Sequence, residues 1–205
     1  MSRTNPVWRR VLVLGGARSG KSSFAEHLAT ACGEPVLYVA TATASDDEMR
    51  ERIEGHRARR PPTWRTLEAY LDVAAQVAAA QHGARTVLVE DLTLLLSNLM
   101  FDAGLAASQT GAHGIGPAAG GAAGAEATRH RAISESETRA QQQVDALLNL
   151  EANVILVSNE VGMGLVPPYP LGRVFRDALG RLNQYAAARV SEALLIVAGL
   201  PQRLK

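Results

Sequence analysis

The chain carries one cysteine, Cys32, which excludes an internal disulfide and any zinc cage built from thiolates. Cys32 sits late in the first helical pattern, where a small buried apolar residue is expected. Aromatic residues make up only 4% of the sequence, too few for a platform on which nucleic-acid bases would stack. The formal net charge is +1, so no field of one sign is present to recruit a phosphate backbone or an anionic bilayer. No apolar run is long enough to span a membrane, and residues 1–10 are polar and basic with no apolar segment and cleavage site behind them. These absences predict a soluble cytoplasmic protein that acts on small molecules. At 205 residues with 47% hydrophobic content, one core is affordable, and a single domain is expected over 1–205.

Lysine is the other scarcity. Of 21 basic residues only Lys21 and Lys205 are lysines; the rest are arginines. Lys21 closes the segment Gly15-Gly16-Ala17-Arg18-Ser19-Gly20-Lys21-Ser22, which follows the apolar run Val11 to Leu14 and opens a helical pattern. Strand, glycine-rich loop and helix in that order form a phosphate-binding P-loop. Gly15 and Gly20 admit backbone turns closed to residues with a Cβ, so N–H groups converge on phosphate oxygens. Lys21 then reaches the β and γ phosphates and the Ser22 hydroxyl ligates Mg²⁺. A compact ammonium fits a slot that the wide fork of arginine does not.

Five continuously apolar runs recur, at Val11 to Leu14, Val36 to Ala40, Thr86 to Glu90, Val154 to Ser158 and Ala193 to Ala198. Continuous rather than alternating apolarity marks strands covered on both faces. Helical patterns lie between them, at Ser22 to Cys32, Asp46 to Arg60, Thr66 to Gln81, Leu92 to Phe101, about Arg129 to Leu150, and Leu171 to Ala188. Such alternation predicts an α/β fold with a mainly parallel sheet and helices on both faces. Ligands then gather at the carboxyl ends of the strands, where Gly15, Thr41, Glu90 and Asn159 fall. The stretch Ala103 to Ala127 is almost wholly Gly, Ala, Ser and Thr, and a flexible loop is expected there.

The third run ends on Glu90-Asp91. Glu90 is placed to complete the Mg²⁺ shell of the P-loop, and Asp91 to cap the next helix. Hydroxyl residues from Thr41 to Ser45 precede Asp46-Asp47-Glu48, ordinary chemistry for a helix start. Along that helix Met49, Ile53 and His56 share a face, and Arg57, Arg59 and Arg60 crowd its end. A lone histidine on a helix face is commonly a packed residue. Three arginines beside it suit a phosphate-bearing ligand and would hold the imidazole neutral and nucleophilic. The segment Asn159 to Gly164 reads equally as a turn shaped by glycine and as a pocket wall.

Taken together these segments resemble a known family. The bifunctional adenosylcobinamide kinase/adenosylcobinamide-phosphate guanylyltransferases of cobalamin assembly combine such a P-loop with an Ala-Thr element and an Asp-Asp-Glu-Met helix that reaches a histidine. A Trp-Arg-Thr segment and a late Asn-Glu-Val-Gly-Met-Gly signature follow. Here these are Gly15 to Ser22, Ala40-Thr41, Asp46 to Met49 with His56, Trp64 to Thr66, and Asn159 to Gly164. The resemblance covers nearly the whole chain outside the Gly/Ala stretch and implies a P-loop NTPase of the RecA-like kind. It implies two reactions: ATP or GTP phosphorylates the aminopropanol hydroxyl of adenosylcobinamide, and GMP then passes from GTP through an enzyme histidine to give adenosylcobinamide-GDP. By the same resemblance His56 accepts GMP, and Arg57, Ala58, Arg59, Arg60 and Glu68 border the guanine nucleotide. Gly15 to Ser22, Ala40, Thr41, Ala42 and Glu90 serve the nucleotide and its Mg²⁺, and the protein is a homotrimer. Some relatives carry two adjacent histidines where this chain has Gly55-His56.

Two other readings compete. A P-loop kinase of another small alcohol would use Lys21, Ser22 and Glu90 and leave His56 idle. A RecA-like nucleotide-dependent binding module would call for the basic stripe or aromatic platform that this composition lacks.

Overall fold

A computed structural model of the chain describes residues 7–42, 55, 57, 60–105 and 122–205. Among them a seven-stranded sheet runs in the order β3-β2-β4-β5-β1-β6-β7. The strands are β1 (Arg10–Gly15), β2 (Val36–Ala40), β3 (Arg65–Glu68), β4 (Thr86–Glu90), β5 (Asn153–Asn159), β6 (Glu192–Val197) and β7 (Leu200–Arg203). All neighbours pair in parallel except β6 and β7, which form an antiparallel hairpin. The helices are α1 (Lys21–Cys32), α2 (Val73–Ala80), α3 (Leu92–Asp102), α4 (Ala122–Leu148) and α5 (Pro170–Arg189).

The central strands are apolar on both sides because both sides are covered. Val11, Val13, Tyr38, Leu88, Ile155 and Val157 point to one face, where they pack with Ala25 and Ala29 of α1 and with Trp64. Leu12, Val39, Val87, Val89 and Leu156 point to the other, where side chains of α2, α3, α4 and α5 bury them. Register makes this consistent, since Val11 pairs with Ile155 and Leu12 with Leu156. Alanine at positions 25 and 29, both fully buried, lets α1 lie close against β4 and β5. Arg10 ties the start of β1 to the end of α4. Its guanidinium donates to the carbonyls of Leu148 (2.5 Å), Leu150 (2.6 Å) and Ala152 (2.6 Å), and burial lowers its pKa.

Two strands lie outside the five apolar runs. β3 replaces the start of the helical pattern at Thr66 to Gln81: Arg65–Glu68 is a mostly exposed edge strand beside β2, and the helix forms only from Val73. β7 is an exposed edge strand holding Pro201, a residue that an edge tolerates. Helix α4 starts at Ala122, ahead of the charged pattern at Arg129, since alanine needs no packing to favour a helix. Leu105 is buried at the other side of the Gly/Ala stretch, so the part of it outside the described residues is 106–121. The helical pattern Asp46 to Arg60 lies largely outside them as well; Gly55 and Arg57 are helical. Cys32 is half-buried at the rim of the α1 face rather than in the core.

Leu156 is fully buried in the middle of the sheet. Leu156→Ala is expected to lower the unfolding free energy by about 2–5 kcal/mol, read from urea titrations followed by circular dichroism.

Candidate active site

β1 ends at Gly15 and the chain turns tightly into α1. A Cβ on Gly15 would fall onto Ser19 Oγ and come within 3.0 Å of the Ile196 carbonyl, so glycine is required there. Arg18 (φ 56°) and Gly20 (φ 92°) both adopt left-handed backbone, which curls the loop around a concavity. Two braces fix it from outside, Glu160 N–H donating to Gly15 O (3.0 Å) and Gly199 N–H to Ser19 O (2.8 Å), and one bond closes it from within, Ser19 N–H to Gly16 O (3.2 Å). Ala17 and Arg18 are exposed at the crest, free to meet an incoming anion.

Lys21 is buried at 4% exposure, with Nζ 3.5 Å from the Gly16 carbonyl inside the loop. An ammonium held inside such a loop is in the place where a P-loop lysine meets the β and γ phosphates of a bound nucleotide. Ser22, the next residue, donates its hydroxyl to Glu90 Oε1. The strand that leads into the loop before Ser22 and the strand that ends on Glu90 are not neighbours, since β5 stands between β1 and β4. Helix α1 makes the meeting possible by crossing over β5 onto β4. Ser22 and Glu90 together offer hard oxygen donors of the kind Mg²⁺ takes. Among the described residues no group of three His, Cys, Asp or Glu side chains gathers.

A polar network holds Glu90 and its neighbours. The Thr41 hydroxyl, fully buried, donates to Asp91 O (2.9 Å) and accepts from Asp91 N–H (2.7 Å), while Thr41 N–H donates to Glu90 O (3.0 Å). Thr41 therefore fixes the Glu90–Asp91 turn. Asp91 caps α3 by accepting from Leu94 N–H (2.8 Å). Asn159, at the end of β5, donates to Asp91 Oδ2 (3.3 Å) and Thr93 Oγ1 (2.9 Å). Asn183 of α5 donates to Asn159 O (3.0 Å), and Asn98 of α3 to Thr41 O (2.9 Å). Sequence patterns missed Thr93, Asn98 and Asn183, whose amides and hydroxyls carry no motif.

Ala40 lies opposite both Glu68 and Glu90, so these three end adjacent strands in one row. Glu68 is exposed and accepts from the Tyr70 hydroxyl (3.1 Å). Arg60 lays its guanidinium 3.4 Å from the centre of the Tyr38 ring and donates to Thr66 Oγ1 (3.1 Å). Burial, and then the Glu90 charge, push the Tyr38 phenol well above its usual pKa, so it stays protonated. Ala42 follows Thr41 at the same edge, and Arg57 is exposed. His56, Ala58 and Arg59 lie outside the described residues.

The loop, the buried lysine and the Ser22–Glu90 pair define a P-loop nucleotide-binding α/β protein. Residues 11–204 match the family described as cobinamide kinase / cobinamide phosphate guanyltransferase. The chain is 40% identical over 200 residues to the bifunctional adenosylcobalamin biosynthesis protein CobP of Pseudomonas aeruginosa, covering 96% of this chain and 97% of that one. It is 38% identical over 196 residues to the bifunctional adenosylcobalamin biosynthesis protein CobU of Escherichia coli, covering 95% and 99%. It belongs to this family of enzymes. Among the described residues no helix is long and apolar enough to cross a membrane.

Gly15→Ala is expected to weaken ATP binding by at least about tenfold, because the new methyl displaces Ser19 and deforms the loop. Adding Ser19→Gly should restore part of the loss, the Ile196 carbonyl remaining close. Titration with a fluorescent ATP analogue reads both.

Proposed function

We propose that this chain phosphorylates the aminopropanol hydroxyl of adenosylcobinamide with ATP or GTP, and then carries GMP from GTP to the resulting phosphate through a guanylylated His56. The observation that carries the first reaction is the convergence of Lys21, Ser22 and Glu90 at the carboxyl edge of the sheet in a member of this family. In it the substrate hydroxyl oxygen bonds to the γ phosphorus, the bond to the β-phosphate oxygen breaks, and the hydroxyl proton is released. Lys21 holds the bridging region by charge, and the backbone N–H groups of 15–20 receive the phosphate oxygens. Mg²⁺, when bound by Ser22 and Glu90, neutralises charge on the β and γ phosphates.

The second reaction rests on family membership and on the residue pattern. A neutral imidazole nitrogen of His56 attacks the α phosphorus of GTP and pyrophosphate leaves. The cobinamide phosphate oxygen then attacks the same phosphorus and the imidazole departs, giving adenosylcobinamide-GDP. Arg57, Ala58, Arg59, Arg60 and Glu68 border the guanine nucleotide in this reading. So do Ala40, Thr41 and Ala42 at the end of β2. A single-domain homotrimer in the cytoplasm is the accompanying proposal.

Lys21→Ala should reduce phosphorylation of adenosylcobinamide by about 10²–10³ in turnover, measured with γ-labelled ATP. Retention of more than about a tenth of the wild-type rate would count against that role. His56→Ala should take up no label from α-labelled GTP and lose GMP transfer while keeping part of its kinase activity. The wild-type adduct should be labile in acid and stable in base, as a phosphoramidate is. Label on any other residue would refute the assignment.

A further inference from the structure

An apolar cavity of about 450 Å³ opens between α3, the segment after β5, and the start of α5. It is lined by Met100 and Phe101 of α3, by Val161 after β5, and by Tyr169, Phe175 and Arg176 at the start of α5. Its lining is joined to the catalytic edge through chain neighbours. Val161 comes two residues after Asn159, whose neighbour Glu160 braces the P-loop, and Ser97 at the cavity wall adjoins Asn98, which holds Thr41. A phosphoryl acceptor placed before the P-loop would extend its body into this space.

The lining gives the chemistry of that body. Among the lining residues Phe101 and Tyr169 are 62% and 58% exposed and Leu165 is 97% exposed, large apolar groups that water alone does not favour. One charge stands among them. The Arg176 side chain is three-quarters buried, with an exposure of 24%, and sits 3.7 Å from Asp177 Oδ1. Its Nε is buried with no hydrogen-bond partner among the described residues. A buried N–H without an acceptor is expensive, so the cavity suits a ligand that is flat and apolar over most of its area and offers a carbonyl oxygen at one point. A triphosphate or a bare aminopropanol arm has no such area. The corrin ring of cobinamide does: its rim is methylated and its arms end in carboxamides.

We propose that this cavity seats one edge of the corrin ring of cobinamide, packed by Phe101 and Tyr169, with Arg176 donating to a peripheral carboxamide oxygen. The assignment rests on the kinase reading above and adds the surface that selects the acceptor.

The test uses the full chain and dicyanocobinamide as probe, titrated by absorbance, beside a fluorescent ATP analogue as an independent measure of an intact P-loop. Phe101→Ser and Arg176→Gln should each raise the corrinoid Kd by about tenfold, and raise KM for adenosylcobinamide more than they lower kcat, with the ATP-analogue Kd within about twofold of wild type. Ser97→Phe, which fills the cavity from its wall, should do the same. Wild-type corrinoid affinity in all three variants overturns the assignment and leaves the kinase reading standing. Parallel loss of corrinoid and ATP-analogue binding in all three makes these residues structural and also overturns it. A wild-type protein that neither binds dicyanocobinamide nor phosphorylates adenosylcobinamide brings down the kinase reading itself.

Discussion

Holding a triphosphate with backbone N–H groups requires a loop that is both bare and rigid, and the rest of the structure answers to that constraint. Bareness comes from Gly15 and Gly20, where side chains would strike Ser19 or Gly199. Rigidity cannot come from side chains inside the loop, so it comes from neighbours. The residue after β5 supplies Glu160 N–H and the β6–β7 hairpin supplies Gly199 N–H, each gripping a loop carbonyl. Parallel pairing of β1 with both β5 and β6 brings those groups to the same edge. The central position of β1 is thus tied to the chemistry.

The strand between β1 and β4 has a second effect. With β5 interposed, a carboxylate on β4 stands one strand further from the loop than direct pairing would place it. The gap is closed by α1 carrying Ser22 across, and it is lined by Asn159, whose amide reaches both Asp91 and Thr93. The network around it, from Thr41 to Asn183, sets where Glu90 stands.

Much of this was legible in the sequence. β2 and β4 occupy the apolar runs Val36 to Ala40 and Thr86 to Glu90 residue for residue, because strands buried on both faces need unbroken apolarity. The P-loop was legible because its backbone path admits few residue types. β3 and β7 were not: both are edge strands whose side chains face water, so Arg65–Glu68 and Leu200–Arg203 show no apolar run. The cavity beside α5 was hidden for another reason. Its walls come from two segments far apart in the chain, 97–105 and 161–176, and Met100 or Phe175 reads as ordinary core until the fold leaves space beside it.

Lys21, Ala25 and Ala29 lie on one stripe of α1, all buried against the sheet, and two of the three are the smallest residue that keeps a helix without loosening it. The depth of that helix, and with it the distance from Ser22 to Glu90, is set by two methyl groups far from any phosphate. Evolutionary drift at these alanines is therefore confined in a way a catalytic inventory would not reveal. A valine at position 25 would lift the helix like a shim, and the enzyme would register it first as poorer chemistry.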